Sequence, residues 1–200
     1  MLEERGHRRL DIDEYRQIYE HPIQRIYEKT GFDLAREPFK QISDRWHRDY
    51  VQRFTEVALR RGALSALEHF KRAGIIQAVL SALPHDILEQ SISRFGLHDY
   101  FLHIQGLEDN LGRSKIDNGR KMIGQFTIAP QSAILIGDTG HDFETAQALG
   151  LRCVLVAGGA EDKERLLSYG CPVIDDFAEL LTFAQESYFK YPIIDSSCRR

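Results

Sequence analysis

Ala133-Ile-Leu-Ile-Gly-Asp-Thr-Gly-His-Asp142 is the stretch on which the reading of this chain turns. Its opening residues form a short apolar run rich in β-branched side chains, which suits a strand buried on both faces of a parallel sheet. The run stops at Gly137, and two carboxylates follow, Asp138 and Asp142. Phe143-Glu-Thr-Ala-Gln-Ala-Leu-Gly150 then has helical spacing and closes on a glycine suited to a helix C-terminus. Open α/β sheets bind ligands where a strand ends and a helix starts. Two readings of the acid pair stand side by side. Four residues apart across a turn, both carboxylates can face one point and offer hard oxygen ligands to Mg²⁺. Equally, Asp142 can cap its own helix, since acids gather in first helical turns.

Outward from this stretch, helix and strand alternate from Gly62 onward. The patterns predict a helix from Ala63 to Ala73, a strand from Ile75 to Leu80 ending at Ser81, and a helix from Pro84 to Phe95. A strand from Phe101 to Gln105 and a helix from Ser114 to Phe126 come next. Beyond the opening stretch lie a strand from Arg152 to Val156, a helix near Lys163 to Tyr169, a short strand from Pro172 to Ile174 and a helix from Phe177 to Phe183. Such alternation implies βαβ units, hence an α/β fold: a Rossmann-like parallel sheet with helices on both faces. The first 62 residues differ, with helical periodicity and many aromatics (Tyr15, Tyr19, Tyr27, Trp46, Tyr50, Phe54) but no strand pattern. Asp11 or Asp13 can cap the first helix there. The expected organisation is a helical module over 1–62, an α/β core over 63–185 and a peripheral tail over 186–200.

Composition narrows the function classes. Apolar residues make up 42% of the 200, enough for a proper core, and the net charge of -4 comes without a basic stripe. That argues against nucleic acid as a partner. The longest mostly apolar stretch, Ala73 to Leu83, is well short of the ~20 residues that span a bilayer, so no membrane partner is expected. Cys153, Cys171 and Cys198 are odd in number, far apart and in no metal spacing. They suit a reducing compartment, and the N-terminal residues lack the apolar core of a signal peptide, so a cytoplasmic location is expected.

Two further residues complete a constellation with the acid pair. Ser81 closes a predicted strand and offers a hydroxyl beside a new helix. Lys115 lies in the turn Gly112-Arg-Ser-Lys at a helix start, a place suited to an anion. A hydroxyl, an ammonium and a carboxylate pair answer the needs of phosphoryl chemistry. In this order the chain resembles the haloacid-dehalogenase-like (HAD) phosphohydrolases, and among them the phosphoglycolate-phosphatase-like members, from about Leu10 to Leu181. Val79-Leu-Ser81 looks like the family's second motif, Lys115 like its third, and Gly137-Asp-Thr-Gly-His-Asp142 like its fourth. The resemblance implies that Ser81 and Lys115 bind the phosphoryl group, and that Asp138 and Asp142 hold Mg²⁺. It also implies that the helical first half is a cap over a small phosphorylated metabolite, with His21, Arg25, Arg45, His47 and Arg48 as candidates for recognition.

One motif departs. The family's first motif is an apolar strand ending in Asp-x-Asp-Gly, whose first Asp attacks phosphorus, and nothing here matches it. The sole Asp-x-Asp, Asp11-Ile-Asp13, follows Gly6-His-Arg-Arg-Leu10 and precedes Glu14-Tyr15. The expectation is a chain that starts inside the linking helix and lacks a central strand between those carrying Ser81 and Asp138. Two functions follow: a Mg²⁺-dependent phosphatase working through an aspartyl-phosphate, with activity of these residues in doubt, or an inactive HAD-like domain that binds a phosphorylated ligand or a protein. No residue in the helical half singles out one phosphomonoester, and none sets an oligomeric state.

Overall fold

The computed structural model describes residues 1–183; the expected tail, Cys198 and the last two residues of the expected core lie outside them. The first 62 residues carry α1 (Ile12–Ile18), α2 (Gln24–Lys29) and α3 (Phe39–Gln52), and no strand. Asp11 starts α1 by accepting the Asp13 and Glu14 amides at 3.0 and 2.8 Å, while Glu14 returns a carboxylate oxygen to the Asp11 amide at 3.0 Å. This capping box satisfies helix amides that would otherwise lack partners. It also fixes the role of the one Asp-x-Asp sequence, which begins a helix. Ile26, Phe32, Phe39 and Ile42 are buried in this half, and the Tyr27 ring lies against both Phe32 and Phe39.

Beyond Gly62 the elements are α4 (Ala63–Arg72), β1 (Ala78–Pro84), α5 (His85–Arg94), β2 (His103–Leu107) and α6 (Ile116–Ile123). They continue with β3 (Ile134–Gly137), α7 (Gly140–Leu149), β4 (Arg152–Val156), α8 (Lys163–Ser168), β5 (Val173–Ile174) and α9 (Phe177–Phe183). All strand pairs are parallel. β1 pairs with β2, β3 with β4 (Leu135 opposite Cys153) and β4 with β5 (Leu155 opposite Val173). Among the described residues no strand joins β1 to β3, so the sheet stands as a two-stranded and a three-stranded piece.

β1 differs from its sequence expectation. It begins three residues later than the apolar run and continues through Ser81 to Pro84, with its register to β2 broken after Leu80. At that break the Ser81 hydroxyl accepts the Leu83 amide at 3.1 Å, a side-chain bond in place of a ladder bond. Ser81 is therefore inside an irregular strand end, not past it.

Helices hold the two sheet pieces together. On one face α4 serves both. Its Ala66 and Phe70 pack with Val154, Val156, Ile174 and Leu180, and its Leu67 packs with Leu88, Ile92 and Leu97 beside Val79. On the opposite face α6 meets α7 closely at Gly119, where an added Cβ would lie 2.6 Å from Leu149 and 3.0 Å from Leu80. β4 is buried over four successive residues, Cys153 to Val156, as expected of a parallel strand covered on both faces. Leu155 is fully buried there, so Leu155→Ala is expected to lower the unfolding free energy by about 2–5 kcal/mol in urea titrations followed by circular dichroism. A loss under about 1 kcal/mol would mean that this strand is not the packed centre of its sheet.

Candidate active site

The site is built where β3 runs into α7. Thr139 caps α7, and Asp142, three residues on, folds back over the helix start. One oxygen of the Asp142 carboxylate accepts the amides of Asp138 and Thr139, both at 3.0 Å, and the Thr139 hydroxyl at 2.7 Å. Its other oxygen accepts Nζ of Lys115. This carboxylate lies against Gly137 so closely that any Cβ there would collide with it, which explains a glycine at the strand end. Of the two sequence readings of Asp142, the geometry seen is that of the cap, with a lysine added.

Lys115 occupies the N-cap position of α6 and is buried. Besides Asp142, its ammonium donates to the Leu80 carbonyl at 3.3 Å, next to Ser81. Lys115 thus brings together the register break of β1, the start of α6 and the start of α7. Burial alone pushes the Asp142 carboxyl up. The Lys115 charge and hydrogen bond, the Thr139 hydroxyl and the Asp138 amide outweigh it and hold the group below the ordinary carboxylate range.

Asp138 turns the other way. Its carboxylate accepts the Ala160 amide at 2.8 Å and lies against Gly159, where a Cβ would come within 2.6 Å of its Cγ. Burial pushes this carboxyl up and the Asp142 charge adds to the rise, while the Ala160 bond, Lys115 and Arg60 oppose it. Ser81 forms no hydrogen bond to Lys115 or to either aspartate among the described residues; its hydroxyl accepts the Leu83 amide.

Several residues at the site escaped the sequence reading. Glu161, 2% exposed, accepts the Gly140 amide of α7 at 2.6 Å, the Tyr169 hydroxyl at 2.7 Å and the Arg165 guanidinium at 2.9 Å. The pair Gly158-Gly159 after a strand was the available signal, because adjacent glycines there mark a close approach. From the helical half, Tyr15 and Tyr19 stand near enough to Asp138 for its charge to add to the burial that raises both phenols. Arg16 donates to the carbonyls of Gly158 at 2.9 Å and Gly159 at 3.0 Å.

His21 is the recognition candidate that reaches the core. Its ring stacks on His141 at 3.8 Å with a 1° tilt, and its Nε2 lies 3.0 Å from the Gly112 carbonyl in the loop before Lys115. His141 is buried, and its Nε2 has no partner among the described residues. Arg45 pairs with Glu4 and His47 bonds to the Ser43 carbonyl, so both serve the helical half itself.

These features can be set beside known proteins. A family model described as haloacid dehalogenase-like hydrolase matches residues 1–156. The chain belongs to this family. The HAD-like chain is 29% identical over 133 residues to phosphoglycolate phosphatase 1 of Pseudomonas aeruginosa, covering 63% of itself and 47% of that protein. It is 26% identical over 163 residues to a phosphoglycolate phosphatase of Rhodobacter capsulatus, covering 80% of itself and 74% of that protein. The chain thus spans about half the length of the Pseudomonas relative. Among solved structures, protein tyrosine kinase A of Mycobacterium tuberculosis aligns with a TM-score of 0.74 at 21% identity, over 92% of this chain and 86% of that one. CbbY of Rhodobacter sphaeroides in complex with phosphate aligns at 0.66 and 24% identity, over 90% of this chain and 84% of that one. At these identities the structures speak for the fold.

The family implies Mg²⁺, and the donors present fit it in part. No group of three or more His, Cys, Asp or Glu converges for a metal among the described residues. Among the described residues Asp138 keeps one carboxylate oxygen without a hydrogen bond and offers the hard donor that Mg²⁺ takes beside a substrate phosphate. Asp142 is filled by Lys115 and its cap.

The Lys115–Asp142 pair in the HAD-like chain makes a stability test with a defined sign. Lys115→Met leaves a buried carboxylate without its cation, and the expected loss at pH 7 is about 3–5 kcal/mol. In the wild type, Asp142 titrates below its unfolded value. Its contribution is complete above an unfolded pKa of about 3.9 and is lost as pH falls through the lower folded value. Without Lys115 burial prevails, so the deficit of the variant should shrink as pH falls toward 3. Urea midpoints from pH 3 to 7 would refute this if the deficit were constant.

Proposed function

We propose that this HAD-like chain serves the hydrolysis of small phosphomonoesters of the phosphoglycolate type. The observation that carries the proposal is the buried Lys115 ammonium, set between the Leu80 carbonyl, where the register of β1 breaks, and the Asp142 carboxylate in the first turn of α7. A cation held there by a fixed counter-ion is preorganised for phosphoryl oxygens and needs no rearrangement to meet them. In this reading Lys115 and the Ser81 hydroxyl bind the phosphoryl group, and Asp142 positions Lys115. Asp138 would hold Mg²⁺, which when bound neutralises phosphoryl charge. The helical half over residues 1–62 acts as the cap, with Tyr15 and Tyr19 excluding water from the Asp138 side.

An aspartyl-phosphate mechanism also needs a nucleophilic aspartate. Asp11, in the sole Asp-x-Asp, is bound up in the cap of α1. For these 200 residues alone the proposal is therefore phosphate recognition without turnover. That same observation favours the second reading, a HAD-like domain that binds a phosphorylated ligand and never turns it over.

A direct comparison separates the two. Phosphoglycolate and a panel of phosphomonoesters are offered to the 200-residue chain, and to the chain fused at its N-terminus to an apolar strand ending in Asp-x-Asp-Gly. The expected result is binding by both, and Mg²⁺-dependent phosphate release by the fusion alone. Lys115→Ala should then cut release about 10²–10³-fold, by loss of one preorganised charge. Binding without release by a folded fusion would establish the second reading, and absence of binding by either protein would sink both.

A further inference from the structure

Cys153 and Cys171 are far apart in sequence and neighbours in the fold. β4 and β5 pair in parallel with Leu155 opposite Val173, and the Leu155 amide donates to the Pro172 carbonyl at 2.9 Å. Two residues back along both chains, the same register sets Cys153 beside Cys171. Adjacent strands lie about 4.8 Å apart, inside the Cα separation of about 4.4–6.8 Å that a disulfide spans. Both side chains also pack into one apolar cluster, with Leu155, Ala157 and Leu166. They are thus on the same face of the sheet, near enough for each thiol to bear on the titration of the other. Both are free.

From this juxtaposition we propose that Cys153 and Cys171 are a modification site, a thiol pair that a peroxide-class oxidant converts to a reversible disulfide. The two members differ in a way that orders the chemistry. Cys153 is buried within β4, whereas Cys171 lies before β5 and is part-exposed. Burial raises both thiols, but their mutual proximity raises Cys153 further and lowers Cys171, which favours the thiolate of Cys171. The Cys171 thiolate attacks one peroxide oxygen, the O–O bond breaks, and Cys171 becomes a sulfenic acid as hydroxide leaves and takes up a proton as water. Cys153 sulfur then attacks the sulfenic sulfur, the S–O bond breaks, and the thiol proton leaves with the hydroxyl as a second water. Two thiols lose two electrons and one peroxide gains them. Since burial keeps the attacking thiolate scarce, the first step should be slow at neutral pH and quicken as pH rises.

The test uses the chain with Cys198→Ser, so that two thiols remain. After hydrogen peroxide, thiols titrated in denaturant should fall from two to none, the intact mass should drop by two hydrogens, and dithiothreitol should restore both values. Digestion without reductant should yield one peptide pair joining Cys153 to Cys171. In the further variant Cys153→Ser, the same exposure should drive Cys171 on to sulfinic acid, for want of a partner thiol. The proposal fails if the parent protein keeps two thiols under an exposure that oxidises the Cys153→Ser variant. It fails equally if the parent's Cys171 accumulates sulfinic acid with no linked peptide.

Discussion

The ion pair of Lys115 with Asp142 is the interaction on which the site depends. It is buried, so its two charges have exchanged water for one another, and the exchange is tolerable because further dipoles complete it. Asp142 takes two amides and a hydroxyl besides the lysine, and Lys115 adds a carbonyl. One contact therefore fixes three chain segments that no strand ladder joins. β1 and β3 belong to separate sheet pieces, yet Lys115 ties Leu80 of β1 to Asp142, whose carboxylate also holds the Asp138 amide just past β3. The electrostatics follow the same logic, for the lysine keeps one aspartate ionised while burial raises its neighbour Asp138.

Much of the α/β core was legible because its signals are local. β4 and α9 lie at the residues where continuous apolar spacing bounded by turn residues put them, and Asp11 caps α1 as an aspartate at a helix start should. β1 was harder to read. Its apolar run marks where the strand is buried, whereas its end is set by a register break and a serine side-chain bond, which have no pattern in sequence. The HAD resemblance rested on Ser81, Lys115, Asp138 and Asp142 in order. Order does not say which partner each will choose, and the turn of Asp142 onto Lys115 and away from Asp138 is a tertiary outcome. Glu161, His21 over His141, and the cysteine pair share that character, since each depends on how remote elements are brought side by side.

The divided sheet shows how a parallel fold can remain connected without a continuous ladder. α4 packs on both pieces, and α6 and α7 meet across the other face at a glycine where a side chain would press on Leu149 and Leu80. Helices here do more than cover strands: they carry the alignment of one sheet piece to the other. Two more glycines, Gly137 and Gly159, allow the two carboxylates to lie against main chain. The charge of the site is thus supported from beneath by residues that have none.

The helical half meets the core largely through main-chain carbonyls. Arg16 binds those of Gly158 and Gly159, His21 that of Gly112, and in the reverse direction Arg165 of the core binds that of Tyr19. A carbonyl is present whatever residue bears it. An interface of this kind leaves most surface side chains on the receiving loops free to vary while the docking is retained. What must be kept is on the donor side, Arg16 and His21 in the helical half and Arg165 in the core, while the residues that offer the carbonyls can change.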